Sequence, residues 1–347
     1  MKIVALMLFT CAILLLLYGT KASIQENQIK INTDFVTTWV QVVGRKDGNV
    51  VKGLEIGDFV LREDGKPQRI SLIKEGQPVS GVILVDGMAC IFPPELELHG
   101  GKEALRQLGD DSEIALMAWD SDAQLVQPLT RDQDVVARRL KDRVSFFIAL
   151  NGPQKILRPD RDWYRPGEAV YHAARYLEKA ASPERRKIII LIAWTTHPIH
   201  PAETHRQIAA DVISLLERTG ATVYGLILTE GRSRGIFSSL HLGGKYKRQR
   251  SGGTLEQFVE QTGGSILVGE QEKGNELFSK LIELVHSSYT IGYYPEDSNF
   301  DGRYRRIKLD LSPRGKLKAG EVNIKSRAGY RAIRSSSPAA TQTPPGK

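Results

Sequence analysis

Cysteine is almost missing from this chain: of 347 residues only Cys11 and Cys90 carry a thiol. Cys11 sits inside an N-terminal apolar run, so a processed chain keeps Cys90 alone. That excludes an intramolecular disulfide framework and leaves the fold to its hydrophobic core, which a chain of this length can bury. A membrane-spanning run is lacking too. Ile3 to Tyr18 is almost purely apolar, yet it falls short of the roughly 20 residues of a spanning helix. Lys2 precedes it and Thr20-Lys21-Ala22 follows, an order that reads as a secretory signal peptide over residues 1–22. An uncleaved anchor that tethers the protein to a membrane is the alternative. Cys11 has none of the neighbouring small residues of a lipoprotein site. At the other end apolar residues become few: 333–347, running through Ser335-Ser336-Ser337-Pro338, cannot bury enough surface to fold and reads as a disordered tail.

Over the whole chain the composition is ordinary, with 41% hydrophobic and 25% charged residues. Net charge is +8, and Lys245-Tyr246-Lys247-Arg248-Gln249-Arg250 is its densest basic run. Such a run suits an anionic polymer, a lipid or an acidic protein, but a solvated loop is the commoner reason for one. For an exported protein nucleic acid is a poor match, and no nucleic-acid partner is expected.

Three stretches differ in pattern. Over 28–76 the text is strand-like: Val36, Thr38, Val40 and Val42 share one parity, and Asp47-Gly48 and Asp64-Gly65-Lys66-Pro67 mark turns. Over 79–286 strands alternate with helices. Gly81–Asp86, Ile114–Asp120, Lys187–Ala193 and Val223–Leu228 are uninterrupted apolar runs, which means burial on both faces and a mainly parallel sheet. Apolar stripes predict helices over Glu168–Ala181, over Ala202–Thr219 with Gly220 as the stop, from Thr254 with Gln257 as a capping box, and through Leu277, Phe278, Leu281, Leu284 and Val285. Over 287–332 strands return. Ile307, Leu309 and Leu311 face inward, and Arg306, Lys308 and Asp310 outward. Neither β segment is a stable sheet alone, so the two are expected to pair into one small discontinuous β-sandwich. The α/β domain is then inserted between them, a doubly wound, mainly parallel sheet.

Several motifs carry a family resemblance. Gly53-Leu54-Glu55-Ile56-Gly57-Asp58-Phe59-Val60-Leu61-Arg62-Glu63-Asp64-Gly65-Lys66-Pro67-Gln68 comes first, then Val82-Ile83-Leu84-Val85-Asp86. Ser288-Tyr289-Thr290-Ile291-Gly292-Tyr293-Tyr294-Pro295, Gly302-Arg303-Tyr304-Arg305-Arg306-Ile307-Lys308 and Ser326-Arg327-Ala328-Gly329-Tyr330 follow. Together, across Lys30 to Ala332, these resemble the secreted von Willebrand factor A-related proteins typical of acidobacteria. The resemblance implies export to the periplasm, cell surface or medium, and a non-catalytic role in adhesion or assembly with a protein partner.

It also implies a divalent cation at the carboxyl edge of the sheet, held by Asp-x-Ser-x-Ser after the first strand, a Thr before a middle helix and an Asp after a later strand. This chain departs from that pattern. The first loop reads Asp86-Gly87-Met88-Ala89-Cys90, so soft sulfur replaces both hydroxyls; Glu168 stands at or near the Thr position, and Trp194 at the last Asp. Pro93-Pro94 also disturbs the first helix. The expectation is therefore a degenerate site with no cofactor. Its partner-binding face would be Asp86, Met88, Cys90, Glu168, Trp194, Thr195, His197 and His200. One divalent cation in a rebuilt site of Asp86, Glu168, His197 and His200 is the alternative, since imidazoles suit transition metals. The competing view is that His197-Pro198-Ile199-His200 is a surface loop, as most such pairs bind nothing. A hydrolase is the third reading, using Cys90, the histidine edge or the Asp160/Asp162 pair around Arg161. No nucleophile motif surrounds Cys90, and a solvated loop explains the aspartates. Trp119 ends an apolar run and is assigned to the core, whereas Trp194 stands on the ligand-facing edge, where a partner could bury it.

Overall fold

A computed structural model describes residues 35–86, 101–119, 123–140, 166–182, 184–194, 204–229, 255–270 and 273–332. The expectations for 1–22, the basic run and 333–347 lie outside the described residues. Among those described, no helix is long and apolar enough to cross a membrane.

Fourteen strands are described. In chain order they are β1 (Val36–Gly44), β2 (Phe59–Glu63), β3 (Lys66–Gln68), β4 (Ile70–Glu75), β5 (Val79–Asp86), β6 (Glu113–Trp119) and β7 (Ala123–Thr130). They continue as β8 (Arg186–Trp194), β9 (Thr222–Thr229), β10 (Ile266–Glu270), β11 (Tyr289–Tyr293), β12 (Tyr304–Leu311), β13 (Val322–Ser326) and β14 (Gly329–Arg331). The helices are α1 (Gly101–Arg106), α2 (133–140), α3 (Pro166–Ala180), α4 (Thr204–Thr219), α5 (Leu255–Thr262), α6 (Gly274–His286) and α7 (Pro313–Ala319).

The central sheet has six strands in the order β10-β9-β8-β5-β6-β7, parallel except for the edge strand β7. Its apolar runs alternate between two layers of helices. Ile83, Val85, Ile188, Ile190 and Tyr224 face α1, α2 and α6. Val82, Leu84, Ile189, Leu191 and Val223 face α3, α4 and α5. With both faces covered, each strand can be apolar throughout, and each fully buried Ile, Leu or Val contributes roughly 1.5–3 kcal/mol.

Two four-stranded sheets lie outside this body, ordered β13-β1-β11-β4 and β14-β12-β2-β3. Both mix strands from before and after the α/β segment: β1 pairs antiparallel with β11 and β13, and β2 with β12. Their facing sides share one cluster, Val40, Val42, Ile291 and Tyr293 against Leu61, Ile307, Leu309 and Leu311. The opposite parity of β1 turns to the α/β body. Gln41 there donates from Nε2 to Leu284 O at 3.0 Å and Tyr224 Oη at 3.2 Å, and accepts from Ser265 Oγ at 2.7 Å.

One turn of this β layer predicts its own acid sensitivity. Asp58, 0% exposed, caps the 3-10 turn Ile56–Asp58, accepting from Glu55 N at 2.8 Å, Arg314 Nε at 2.6 Å and Lys318 Nζ at 3.4 Å. The Arg314 bond above all holds its carboxyl down at about 2, against 3.8 when unfolded. A depressed carboxyl stabilises the fold above its unfolded value, and that contribution is lost as pH falls from about 4 through about 2. In thermal melts Asp58→Asn should start lower than the native chain at pH 5 and lose less between pH 4 and 2. Parallel curves would remove Asp58 from this role.

Candidate functional site

Doubly wound sheets bind ligands outside the carboxyl ends of their strands, at the point where strand order reverses. Here the chain runs outward from β5 through β6 to β7, then returns to the other side of β5 with β8, β9 and β10. The reversal point is the crevice between β5 and β8. Val85 pairs with Ile192 in that ladder, so β5 ends in Asp86 and β8 in Trp194 on one edge, side by side. Asp86 pairs in turn with Trp119, whose ring is buried against the α3–α5 layer as a core residue. Glu168 reaches the same edge from a different element. It lies in the first turn of α3, which runs back toward the start of β8, so the helix begins at the carboxyl edge; the residue is half-buried.

Three of the sequence-derived site positions therefore lie along one edge: Asp86, Glu168 and Trp194. Met88, Cys90, Thr195, His197 and His200 lie outside the described residues, as do Asp160, Asp162 and Pro93-Pro94. Described carboxylate positions at this edge include Asp86, Glu168, Glu270 at the end of β10, and Glu256 and Glu276 in the first turns of α5 and α6. Trp194 offers no metal lone pair where an Asp is expected, and Met88 and Cys90 bring sulfur. Among the described residues no group of three His, Cys, Asp or Glu is placed to hold a metal.

Strong electrostatic interactions were missed in the sequence, and they gather elsewhere. At the amino edge Glu113 accepts from Ser80 Oγ at 2.6 Å and pairs with Arg185 at 2.5 Å; burial works against its charge, but these bonds outweigh burial and lower its pKa. Arg186, at the start of β8, is buried, and burial lowers its pKa. In the sandwich Glu63 and Arg305 form a buried pair at 3.1 Å, and Tyr293 and Tyr330 donate to Glu63 at 2.6 and 3.0 Å. Only strand parity hinted at these: Arg305 shares the inward side of Ile307, and Glu63 that of Leu61.

No protein-family model matches the sequence, and no curated protein does. Solved structures do match. Human COPII-coat protein Sec24c is similar at 9% identity, over 74% of this chain and 44% of that one, with a TM-score of 0.39. BatB from Bacteroides thetaiotaomicron is similar at 17% identity, over 60% of this chain and 100% of that one, with a TM-score of 0.35. Proximal thread matrix protein 1 from the mussel byssus is similar at 14% identity, over 62% of this chain and 49% of that one, with a TM-score of 0.37. The chain thus spans under half of the first and third. All three scores lie below 0.5, and the fold stands on its own strand order.

Proposed function

We propose that this chain is an exported, non-catalytic binding module with a von Willebrand factor A-like domain, acting in adhesion or assembly through the carboxyl edge of its central sheet and without a metal. The observation that carries this is the reversal of strand order between β5 and β8, where Asp86 and Trp194 end neighbouring strands. A tryptophan at that position serves a protein partner better than it serves an ion, because a buried indole is a frequent centre of binding energy. The degenerate site follows from the loss of hydroxyl and carboxylate donors. Strand pairing supports the organisation we infer, one sandwich assigned to 28–76 and 287–332 with 79–286 inserted in it. Export, by the signal peptide or tethered by an uncleaved segment, rests on residues 1–22. A rebuilt cation site of Asp86, Glu168, His197 and His200 is the second reading, favoured by the convergence of Asp86 and Glu168 on one edge.

Calorimetric titration of the full chain with Mg²⁺, Mn²⁺ and Zn²⁺ separates the two. The proposal expects no stoichiometric binding, and a tight one-to-one Mg²⁺ isotherm would sink it. Zn²⁺ binding abolished by His200→Ala would establish the second reading instead. On the partner side, capture from an extracytoplasmic extract should fall at least tenfold with Trp194→Ala, as for a hot-spot residue worth about 2 kcal/mol. Undiminished capture would move the partner face off this edge.

A further inference from the structure

Within the described residues the chain passes between the β-sandwich and the α/β body twice, at Gly76-Gln77-Pro78 between β4 and β5 and at Ser287-Ser288 between α6 and β11. His286, the last residue of α6, bridges the two crossings. A Cβ placed on Gly76 would sit 3.2 Å from its Cε1 and 3.4 Å from its Nε2, so the imidazole lies directly on the Gly76 backbone. Gly76 holds φ at +67°, where other residues are strained, and the ring occupies the space a side chain would take. The ring is half-buried, and its Nδ1 is buried without a hydrogen-bond partner among the described residues.

We propose that His286 is a pH-responsive plug in this double hinge: the neutral imidazole closes the joint between sandwich and α/β body, and protonation releases it. Chemistry supports this from two sides. An imidazolium carries N–H on both nitrogens, and a buried Nδ1–H with no acceptor is costly until the ring swings into water. The charges around the ring come from three other elements. Lys52, ahead of the 3-10 turn, and Arg186, at the start of β8, oppose a second positive charge; Glu75, at the end of β4, favours it. Burial first, then Lys52 and then Arg186 outweigh Glu75 and hold the ring below its ordinary 6.5. A base with a depressed folded value stabilises the closed joint fully above the unfolded 6.5, and that contribution is lost as pH falls below it. The joint should therefore be tight at neutral pH and loosen in an acidified medium.

Hydrogen exchange of the full chain at pH 7.5 and 5.0, corrected for intrinsic rates, tests this. Peptides covering Gly76 and Ser287 should exchange at least threefold faster at pH 5.0 in the native chain, while peptides from β8 and β12 stay unchanged. His286→Gln should remove most of that difference. A native chain with no local acceleration, or a variant that keeps it in full, overturns the proposal. Proton NMR titration of His286 in the native chain needs no variant and gives an independent answer. Its midpoint should lie below 6.5 and fall further in Glu75→Gln; a native midpoint at or above 6.5 also overturns it.

Discussion

Glu63→Ala is expected to cost about 3–5 kcal/mol in urea unfolding, the range for breaking a buried ion pair by removing one partner. The pair is deep: the side chains of Arg305 and Glu63 are 5% and 4% exposed. Three donors converge on the carboxylate, Arg305 Nη1 at 3.1 Å, Tyr293 Oη at 2.6 Å and Tyr330 Oη at 3.0 Å. Burial first, and Glu63 with it, push both phenols above the ordinary tyrosine range, so each stays a donor at working pH. Deleting the carboxylate leaves two hydroxyls without their acceptor and a guanidinium bonded to the carbonyls of Asp297 and Asn299, with the half-exposed Asp297 carboxylate 3.6 Å away. Replacing both partners should cost far less than the two single changes summed, because the stranded charge leaves as well: Glu63→Leu with Arg305→Met should show a coupling above about 1.5 kcal/mol. A loss below about 1 kcal/mol for Glu63→Ala would mean that water reaches the pair. The four residues come from four of the motifs that carry the family resemblance, with Glu63 and Tyr330 267 residues apart. Residues from four of those motifs therefore tie the two sheets together at this buried pair.

What the sequence made legible is what local physics dictates. The strands of the α/β body stand out because burial on both faces leaves no polar interruption, and β5 and β8 were read to within about two residues at either end. Asp64-Gly65-Lys66-Pro67 announced a turn; its first two residues make it, with positive φ of +46° and +84°, while Lys66 and Pro67 already belong to β3. Gly220, with φ of +69°, ends α4 where it was expected to. The elements that went unread lack a pattern for physical reasons. Strand β7 is a half-exposed antiparallel edge with Pro128 in it and two register shifts against β6. Helix α7 is nucleated by Ser312, which caps Gly315 N at 3.1 Å, while Leu317 stays 90% exposed, so no apolar stripe marks it. Nothing in the local pattern of β1 marked Gln41 as buried at the joint, because what covers it is folded from residues about 180 to 240 positions later. At the candidate site, Asp86 and Trp194 were readable as the ends of apolar strands; that Glu168 shares their edge was expected only through the family resemblance, since no local pattern marks it.

Arg186→Ala should cost about 3 kcal/mol, while Arg186→Met should cost less than half as much. Arg186 is 4% exposed, and among the described residues no carboxylate pairs with it. Its charge is met instead by oxygen and π electrons: Nη1 donates to Val285 O at 3.0 Å, Nη2 to Tyr224 Oη, and the guanidinium carbon lies 5.7 Å from the Trp39 ring centre and 5.9 Å from that of Tyr224. Alanine takes the side-chain donor from the Val285 carbonyl, which keeps only a long bond from Ser288 N at 3.5 Å, deprives the Tyr224 hydroxyl of a donor and opens a cavity beside Trp39; each weakened buried partner costs up to roughly 1–3 kcal/mol. Methionine fills the same space and also removes a desolvated charge whose burial works against it, so the lost bonds are partly offset. Lysine belongs nearer alanine than methionine, since a hydrated point charge cannot stack on Trp39 and reach both oxygens at once. Urea unfolding of the three variants checks the ranking, and methionine as costly as alanine would show that the charge itself holds the joint. The same substitution acts on the hinge. Arg186 is one of the two cations that oppose protonation of His286, so in Arg186→Met the imidazole should titrate at higher pH than in the native chain. A midpoint that stays put would leave Lys52 and burial to set it, and would uncouple the two halves of the joint.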